Sequence, residues 1–308
     1  MSSFMDSSSV ATLAEEVAVE PIEVEHLRKA YADVVAVADV SFTVAAGECL
    51  ALLGPNGAGK TTTTEILEGY RRADSGTARV LGVDPATGGI DWRARLGIVL
   101  QADRDLGDLT VREAVQHFAG YFPRPRDPDD VISAVGLQAK AKSRNGKLSG
   151  GQRRRLDVAL GIIGSPEVLF LDEPTTGFDP AARREFWDLI AGLKSEGTTI
   201  LLTTHYLEEA EHLADRVAVI ANGRVVAYDT PANLGNRSQA RAVVTWEESG
   251  SDRSEATDEP TRLIAELAAR FNGEVPGLQV HRPSLEETYL SLIASEAADR
   301  QDVEGGAM

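Results

Sequence analysis

The sequence predicts an α/β fold with a mainly parallel core sheet, an antiparallel β subdomain, an inserted helical lobe and a small C-terminal α/β appendage. Three observations carry this. Residues 49–53, 96–100, 168–171, 199–203 and 216–220 form short, almost continuously apolar runs, the pattern of strands covered on both faces by helices. Residues 22–27, 34–44 and 77–81 are instead rich in β-branched side chains and separated by turn signals, as in an antiparallel or mixed sheet. From about 102 to 164 there are helical patterns and no convincing strand, so a helical lobe interrupts the α/β alternation.

Residues 1–19 are Ser-rich and then acidic, without sustained periodicity, and are expected to be a disordered tail. The main domain is expected over 20–230. Within it, 111–122, 153–163 and 180–194 carry apolar residues at three-to-four spacing, and Asp179 before Pro180 suits an N-cap and first helical position. After Asp229-Thr230-Pro231 a smaller unit is expected over 231–296. It reads as a strand at 240–246, an acidic Ser-rich loop at 247–260, a helix at 261–271, a strand at 278–281 and a helix at 284–294. Ser284 and Glu287 fit a capping box at the start of that last helix. Residues 297–308 are expected to be a second disordered tail.

At 308 residues the chain is long enough for one main domain and an accessory piece. Its net charge of −17 and lack of a long basic run leave no electrostatic footprint for nucleic acid or anionic lipid. Cys49 is the only cysteine, which excludes an internal disulfide or a Cys-rich metal site; its place in an apolar strand reads as a small buried hydrophobe. The N-terminal stretch has acidic residues where a secretion signal needs basic ones. The longest apolar runs, 168–171 and 217–221, fall far short of the roughly 18 to 20 residues that span a bilayer. A membrane role would therefore need another chain to cross the bilayer.

The chemistry is concentrated in three segments. Gly54, Pro55, Asn56, Gly57, Ala58, Gly59, Lys60 and Thr61 match the phosphate-binding loop, and they follow a buried strand and precede a helical run. The glycines let backbone N–H groups turn in around phosphate oxygens while the helix presents its positive end. Lys60 is expected on the outer phosphates and Thr61 on Mg²⁺. Asp172 and Glu173 end the buried run that starts at Val168. In phosphoryl transfer the first such acid holds the metal and the second orients or deprotonates the attacking water. Leu148, Ser149, Gly150, Gly151 and Gln152 precede a helix, so Ser149 and the free N–H groups behind it form a second anion seat.

Together these segments resemble the nucleotide-binding subunits of ABC transporters over residues 22 to about 230, which makes the expected fold a P-loop NTPase of the ABC cassette type. The resemblance implies that two cassettes pack head to tail, with ATP between the phosphate loop of one and the Ser149–Gln152 seat of the other. It also implies that Gln101 touches Mg²⁺ and the attacking water, that His205 reaches the γ-phosphate, that Tyr31 stacks on adenine and that Thr62 joins Thr61 beside phosphate and metal. Residues 176–179 correspond to the segment that links the two sites; Phe178 stands where leucine is more usual. His26, His117, His212 and His281 match no motif and read as surface or half-buried side chains. Trp92, Trp187 and Trp246 read as core or interface aromatics.

Residues 109–118, Thr204-His205 with the following Tyr-Leu-Glu-Glu-Ala, and the end Pro283-Ser-Leu-Glu-Glu-Thr-Tyr-Leu look like the daunorubicin/doxorubicin type of exporter ATPase. That resemblance implies a homodimer, peripheral on the cytoplasmic face of the membrane, paired with a separate ABC-2 type permease and serving multidrug efflux, as export of a hydrophobic drug, lipid or glycoconjugate, without a nucleic-acid partner. The region 101–122 would receive the permease. A soluble ABC ATPase acting on ribosomes or DNA is the alternative of another class; the tandem cassettes or basic surfaces usual there are not visible.

Overall fold

Strand pairing explains how distant segments meet. The computed structural model describes residues 20–100 and 106–305. It begins with β1 (Ile22–Tyr31), β2 (Val34–Val44), β3 (Cys49–Leu53), α1 (Lys60–Leu67), β4 (Ser75–Val80), α2 (Ile90–Arg93) and β5 (Leu96–Val99). The helical lobe follows, with α3 (Val111–Ala119), α4 (Pro128–Ala134) and α5 (Gly150–Ile162), and no strand among its described residues. The main body closes with β6 (Val168–Asp172), α6 (Pro180–Ser195), β7 (Thr199–Thr203), α7 (Leu207–Leu213), β8 (Arg216–Ala221) and β9 (Arg224–Asp229). The C-terminal part holds β10 (Ala242–Glu248), β11 (Ser251–Thr257), α8 (Pro260–Arg270), β12 (Gln279–His281) and α9 (Leu285–Gly305).

Among the described residues, the main sheet runs β4-β1-β2-β9-β8-β3-β7-β6-β5. From β8 to β5 every neighbouring pair is parallel. β9 returns antiparallel to β8, and β1 pairs antiparallel with β2 and β4. The central strands β3 and β7 are buried at every position, which is why their sequences show no polar alternation. Because β3, β7 and β6 are adjacent and parallel, the loops that leave their C-terminal ends converge on one edge. Those loops carry Gly54 to Gly59, His205 and Glu173.

One core cluster lies between the helical lobe and the sheet, with Val115, Leu156, Leu171, Phe186 and Leu202. A second fills the space under the antiparallel strands, with Val24, Phe42, Leu52, Leu67 and Phe170. A third joins Ala51, Leu53 and Val219 to Leu234 and Leu285, so α9 is packed onto the main body. Cys49 is fully buried, and burial pushes its thiol up to about 12. The Ser284–Glu287 capping box forms as the spacing predicts.

Several elements depart from the sequence expectation, the short helices α2 and α7 among them. The segment expected to be an acidic loop at 247–260 contains β11, whose residues Ser251 to Glu255 are all exposed; backbone pairing to β10 rather than burial makes it a strand. β9 had not been anticipated. α9 continues to Gly305, through much of the expected tail, because Ala297 to Glu304 contain no Pro or Gly to stop it.

Candidate functional site

The turn between β3 and α1 can only be built with glycine at its two pivots. A Cβ on Gly54 would lie 2.2 Å from the Ile220 carbonyl oxygen, and one on Gly59, whose φ is +108°, would lie 2.4 Å from the Ala36 carbonyl oxygen. Gly59 is also the N-cap of α1 and has no side chain to occupy the first N–H groups of the helix. Those donors and the positive end of α1 therefore face the loop. Lys60 Nζ donates to the carbonyls of Gly54 at 2.6 Å and Pro55 at 3.1 Å. Burial lowers its pKa, while the carboxylates of Glu173 and Asp172 oppose that shift.

The four threonines that follow Lys60 divide into two pairs. The Thr63 hydroxyl donates to the Gly59 carbonyl at 2.9 Å, and that of Thr64 to Thr61 at 3.0 Å, both buried in the helix. Thr61 and Thr62 instead line a cleft of about 720 Å³ together with Tyr31, Asn56 to Lys60, Asp172, Glu173 and His205. Gly54 and Pro55 are not among its lining residues; their carbonyls accept from the Lys60 ammonium. Tyr31 stands at the rim, its ring centroid 5.5 Å from Lys29 Nζ and 5.4 Å from Arg71 Cζ. Gln101 lies outside the described residues.

Asp172 ends β6, and its carboxylate accepts from the Thr203 hydroxyl on β7. Glu173 follows with φ +43°, a left-handed conformation that a non-glycine residue adopts at a cost of about 1 kcal/mol or more. Its N–H is held by the Thr203 carbonyl at 3.0 Å. The turn sends the two successive carboxylates to different partners: Glu173 Oε1 lies 3.3 Å from His205 Nδ1. The Glu173 side chain is 17% exposed and that of His205 45%.

Ser149 caps α5. Its hydroxyl accepts from the Gln152 N–H at 3.3 Å, and the Gln152 side chain accepts from the Ser149 N–H at 3.1 Å. Ser149 to Gln152 line a separate cleft of about 510 Å³ with Gly177, Phe178 and Asp179. No described residue lines both clefts. One chain thus presents these two sets of residues in two separate clefts. Phe178 is buried edge-on against Phe186, ring centroids 5.7 Å apart, so the larger side chain is absorbed by the core.

The family model described as ABC transporter matches residues 37–176. Over nearly its whole length the chain is similar to the Nod factor export ATP-binding protein I of Burkholderia orbicola (strain AU 1054), 39% identical over 305 residues, covering 91% of this chain and 99% of that one. The chain belongs to the ATP-binding subunits of ABC transporters. The protein of the same name from Sinorhizobium fredii (strain NBRC 101917 / NGR234) is 36% identical, covering 90% of this chain and 87% of that one. Among solved structures, cbiO1 from Clostridium perfringens, part of the ABC transporter complex cbiONQ, is 29% identical with a TM-score of 0.64, covering 70% of this chain and 90% of that one. An ATP-binding subunit of an ABC transporter, 24% identical, shares the fold at a TM-score of 0.66 over 88% of this chain and 98% of that one.

As an ABC transporter subunit the chain couples ATP hydrolysis to transport. Its cleft also suits Mg²⁺: Thr61 and Asp172 line the same space with hydroxyl and carboxylate oxygens, the hard donors this ion takes alongside phosphate oxygens and water. No group of three or more His, Cys, Asp or Glu among the described residues could hold a metal unaided. In this ABC cassette one supporting residue had escaped sequence reasoning. Arg154, on α5 and 7% exposed, donates to the carbonyls of Leu100, Asp172 and Pro174, bracing β5, β6 and the loop after Glu173. Nothing in the run Arg153-Arg154-Arg155 marks which guanidinium turns inward.

Proposed function

We propose that this chain is the ATPase of an exporter of the daunorubicin/doxorubicin type, and that as a homodimer it drives efflux of a hydrophobic drug, lipid or glycoconjugate through a separate ABC-2 type permease. The observation that carries this is similarity to Nod factor export ATP-binding proteins along both chains, C-terminal part included. No described helix is long and apolar enough to cross a membrane, so the chain would sit on the cytoplasmic face by holding a permease. A multidrug or antibiotic-resistance role belongs to the same proposal and rests on the daunorubicin/doxorubicin-type look of residues 109–118, 204–210 and 283–290.

In this reading Lys60 and the N–H groups of Asn56 to Thr62 bind the ATP phosphates, and Tyr31 stacks on adenine. Thr61, Asp172 and Gln101 hold Mg²⁺, which neutralises phosphate charge when bound. Glu173 accepts the proton of the attacking water, His205 orients Glu173 and the γ-phosphate, and Gln101 aligns the water. Ser149 to Gln152 close the second cassette's site. We further propose a cassette over 20–230 and an accessory subdomain over 231–296.

The test is affinity purification of the full-length Glu173→Gln variant from detergent-solubilised membranes with ATP and Mg²⁺, followed by mass spectrometry. Recovery of a polytopic permease supports the exporter reading. Recovery of ribosomal or DNA-bound partners without a membrane chain overturns it.

A further inference from the structure

Thr203, the last residue of β7, has no part in the roles assigned above, yet its hydroxyl meets both acids at the end of β6. It is 1% exposed. Parallel pairing sets its Cα opposite that of Asp172, so the two side chains project from the same face of the sheet. The Thr203 hydroxyl donates to Asp172 Oδ1 and accepts from the Glu173 N–H at 3.3 Å. The Thr203 carbonyl accepts from the same N–H at 3.0 Å. One residue thus binds the carboxylate of the first acid and the backbone of the next.

The donor and acceptor inventory fixes the direction of these bonds. A backbone N–H can only donate and an ionised carboxylate can only accept, so the single hydroxyl proton goes to Asp172 and a lone pair faces Glu173. Branching at Cβ restricts the Thr203 side chain, and burial keeps water from competing for the hydroxyl. The main chain of Asp172 is held independently, by its pairing to β7 and by Arg154 Nη2, which donates to its carbonyl. What those bonds leave unset is the Asp172 side chain. Among the described residues the Thr203 hydroxyl is the one donor to that carboxylate, and it takes Oδ1.

We propose that Thr203 is a positioning residue for Mg²⁺: by occupying Asp172 Oδ1 it fixes the carboxylate and leaves Oδ2 for the ion or a water bound to it. The proposal rests on the metal role given to Asp172 above. A hydrogen bond behind a metal-binding group sets its orientation, and removing such a partner typically costs about 10- to 100-fold in metal affinity. Valine has the shape of threonine and suits a strand equally well, but it has no proton to give to Asp172. The carboxylate would then face a methyl group on β7 and lose its fixed direction.

The experiment is an equilibrium titration of the full-length chain with AMP-PNP, an ATP analogue that is not hydrolysed, once with saturating Mg²⁺ and once with EDTA. The ratio of the two affinities is the readout, and it needs no turnover. Thr203→Val is expected to lower this ratio by roughly tenfold or more while the affinity in EDTA stays within about twofold of wild type, because the phosphate loop is untouched. Thr203→Ser, which keeps the hydroxyl, should recover most of the ratio. A ratio within about twofold of wild type in Thr203→Val overturns the proposal. So does an equal loss in Thr203→Ser, or an equal loss of affinity in EDTA, either of which marks disturbed packing. Asp172→Asn separates the proposal from the reading it rests on. If Asp172→Asn leaves the ratio unchanged, Asp172 does not hold the ion and both fall; if it collapses the ratio while Thr203→Val does not, the proposal alone falls. Should denaturant titration show that Thr203→Val does not fold, Thr203→Ala is read in the same titrations against the same outcomes.

Discussion

Glu173 Oε1 and His205 Nδ1 meet at 3.3 Å across the adjacent ends of β6 and β7. The contact depends on two backbone facts. Parallel pairing sets Asp172 opposite Thr203, and the left-handed φ of Glu173 then turns its carboxylate away from that pair and toward the next loop. Asp172 stays with the Thr203 hydroxyl and Glu173 faces the imidazole, so neighbouring acids of like charge hold different places.

Glu173→Gln is expected to retain ATP binding and lose turnover by on the order of 10²-fold or more, since a positioned general base typically contributes that much. Equilibrium titration with ATP and a phosphate-release assay measure the two quantities separately. Full turnover in this variant removes Glu173 from the role of base.

Lys60→Ala should weaken nucleotide binding itself by roughly 10- to 100-fold, the worth of a hydrogen bond to a charged group in a shielded site. Calorimetric titration reads this directly. Thr64→Val, which alters a hydroxyl already bonded to the Lys60 and Thr61 carbonyls, serves as the comparison and should leave binding within about twofold. Equal effects from both substitutions would argue against direct phosphate contact by Lys60.

Glu68, at the C-terminal end of α1 and 6% exposed, has its carboxyl pushed up from 4.5 to about 8 by burial first and by the charges of Asp172 and Glu65 next. Between those two values the folded chain keeps a proton that the unfolded chain has released. Stability is therefore highest below 4.5 for this group and falls as pH rises toward 8, by up to about 1.4 kcal/mol per pH unit. Melting temperature followed against pH should show Glu68→Gln gaining on wild type as pH rises through that window. Parallel curves would mean that Glu68 ionises freely in the fold.

Arg154→Ala should destabilise the chain by about 2 to 4 kcal/mol, because the carbonyls of Leu100, Asp172 and Pro174 lose a shared charged donor in a buried place. Arg154→Lys should recover little, since an ammonium cannot span three acceptors as a planar fork does. Denaturant titration of both variants decides it; a change below about 0.5 kcal/mol would show the bracing to be dispensable.

Most of the main sheet was legible because burial on both faces leaves an apolar signature, seen at Cys49–Leu53 and Thr199–Thr203. The phosphate loop was legible for a different reason: its glycines answer to backbone clashes at Ile220 and Ala36 that no other residue survives. β9 and β11 were missed although each had a local signal. Asn222-Gly223 and Ser249-Gly250 are two-residue hairpin turns with positive φ throughout, and both were passed over because the strands they start are short or polar. Arg154 was invisible in a stronger sense. It is one of three successive arginines on a helix, and only tertiary packing selects the one that faces inward.

The separation of the Lys60 cleft from the Ser149 seat has a genetic reading under the proposed head-to-tail pairing. Two defective alleles, one with Lys60→Ala and one with a bulky replacement of Gly151, should complement each other when expressed together. Their mixed dimer joins the sound phosphate loop of one chain to the sound seat of the other and loses both defects into the remaining site. A single gene would then behave, in a cross between its own mutants, as though it were two.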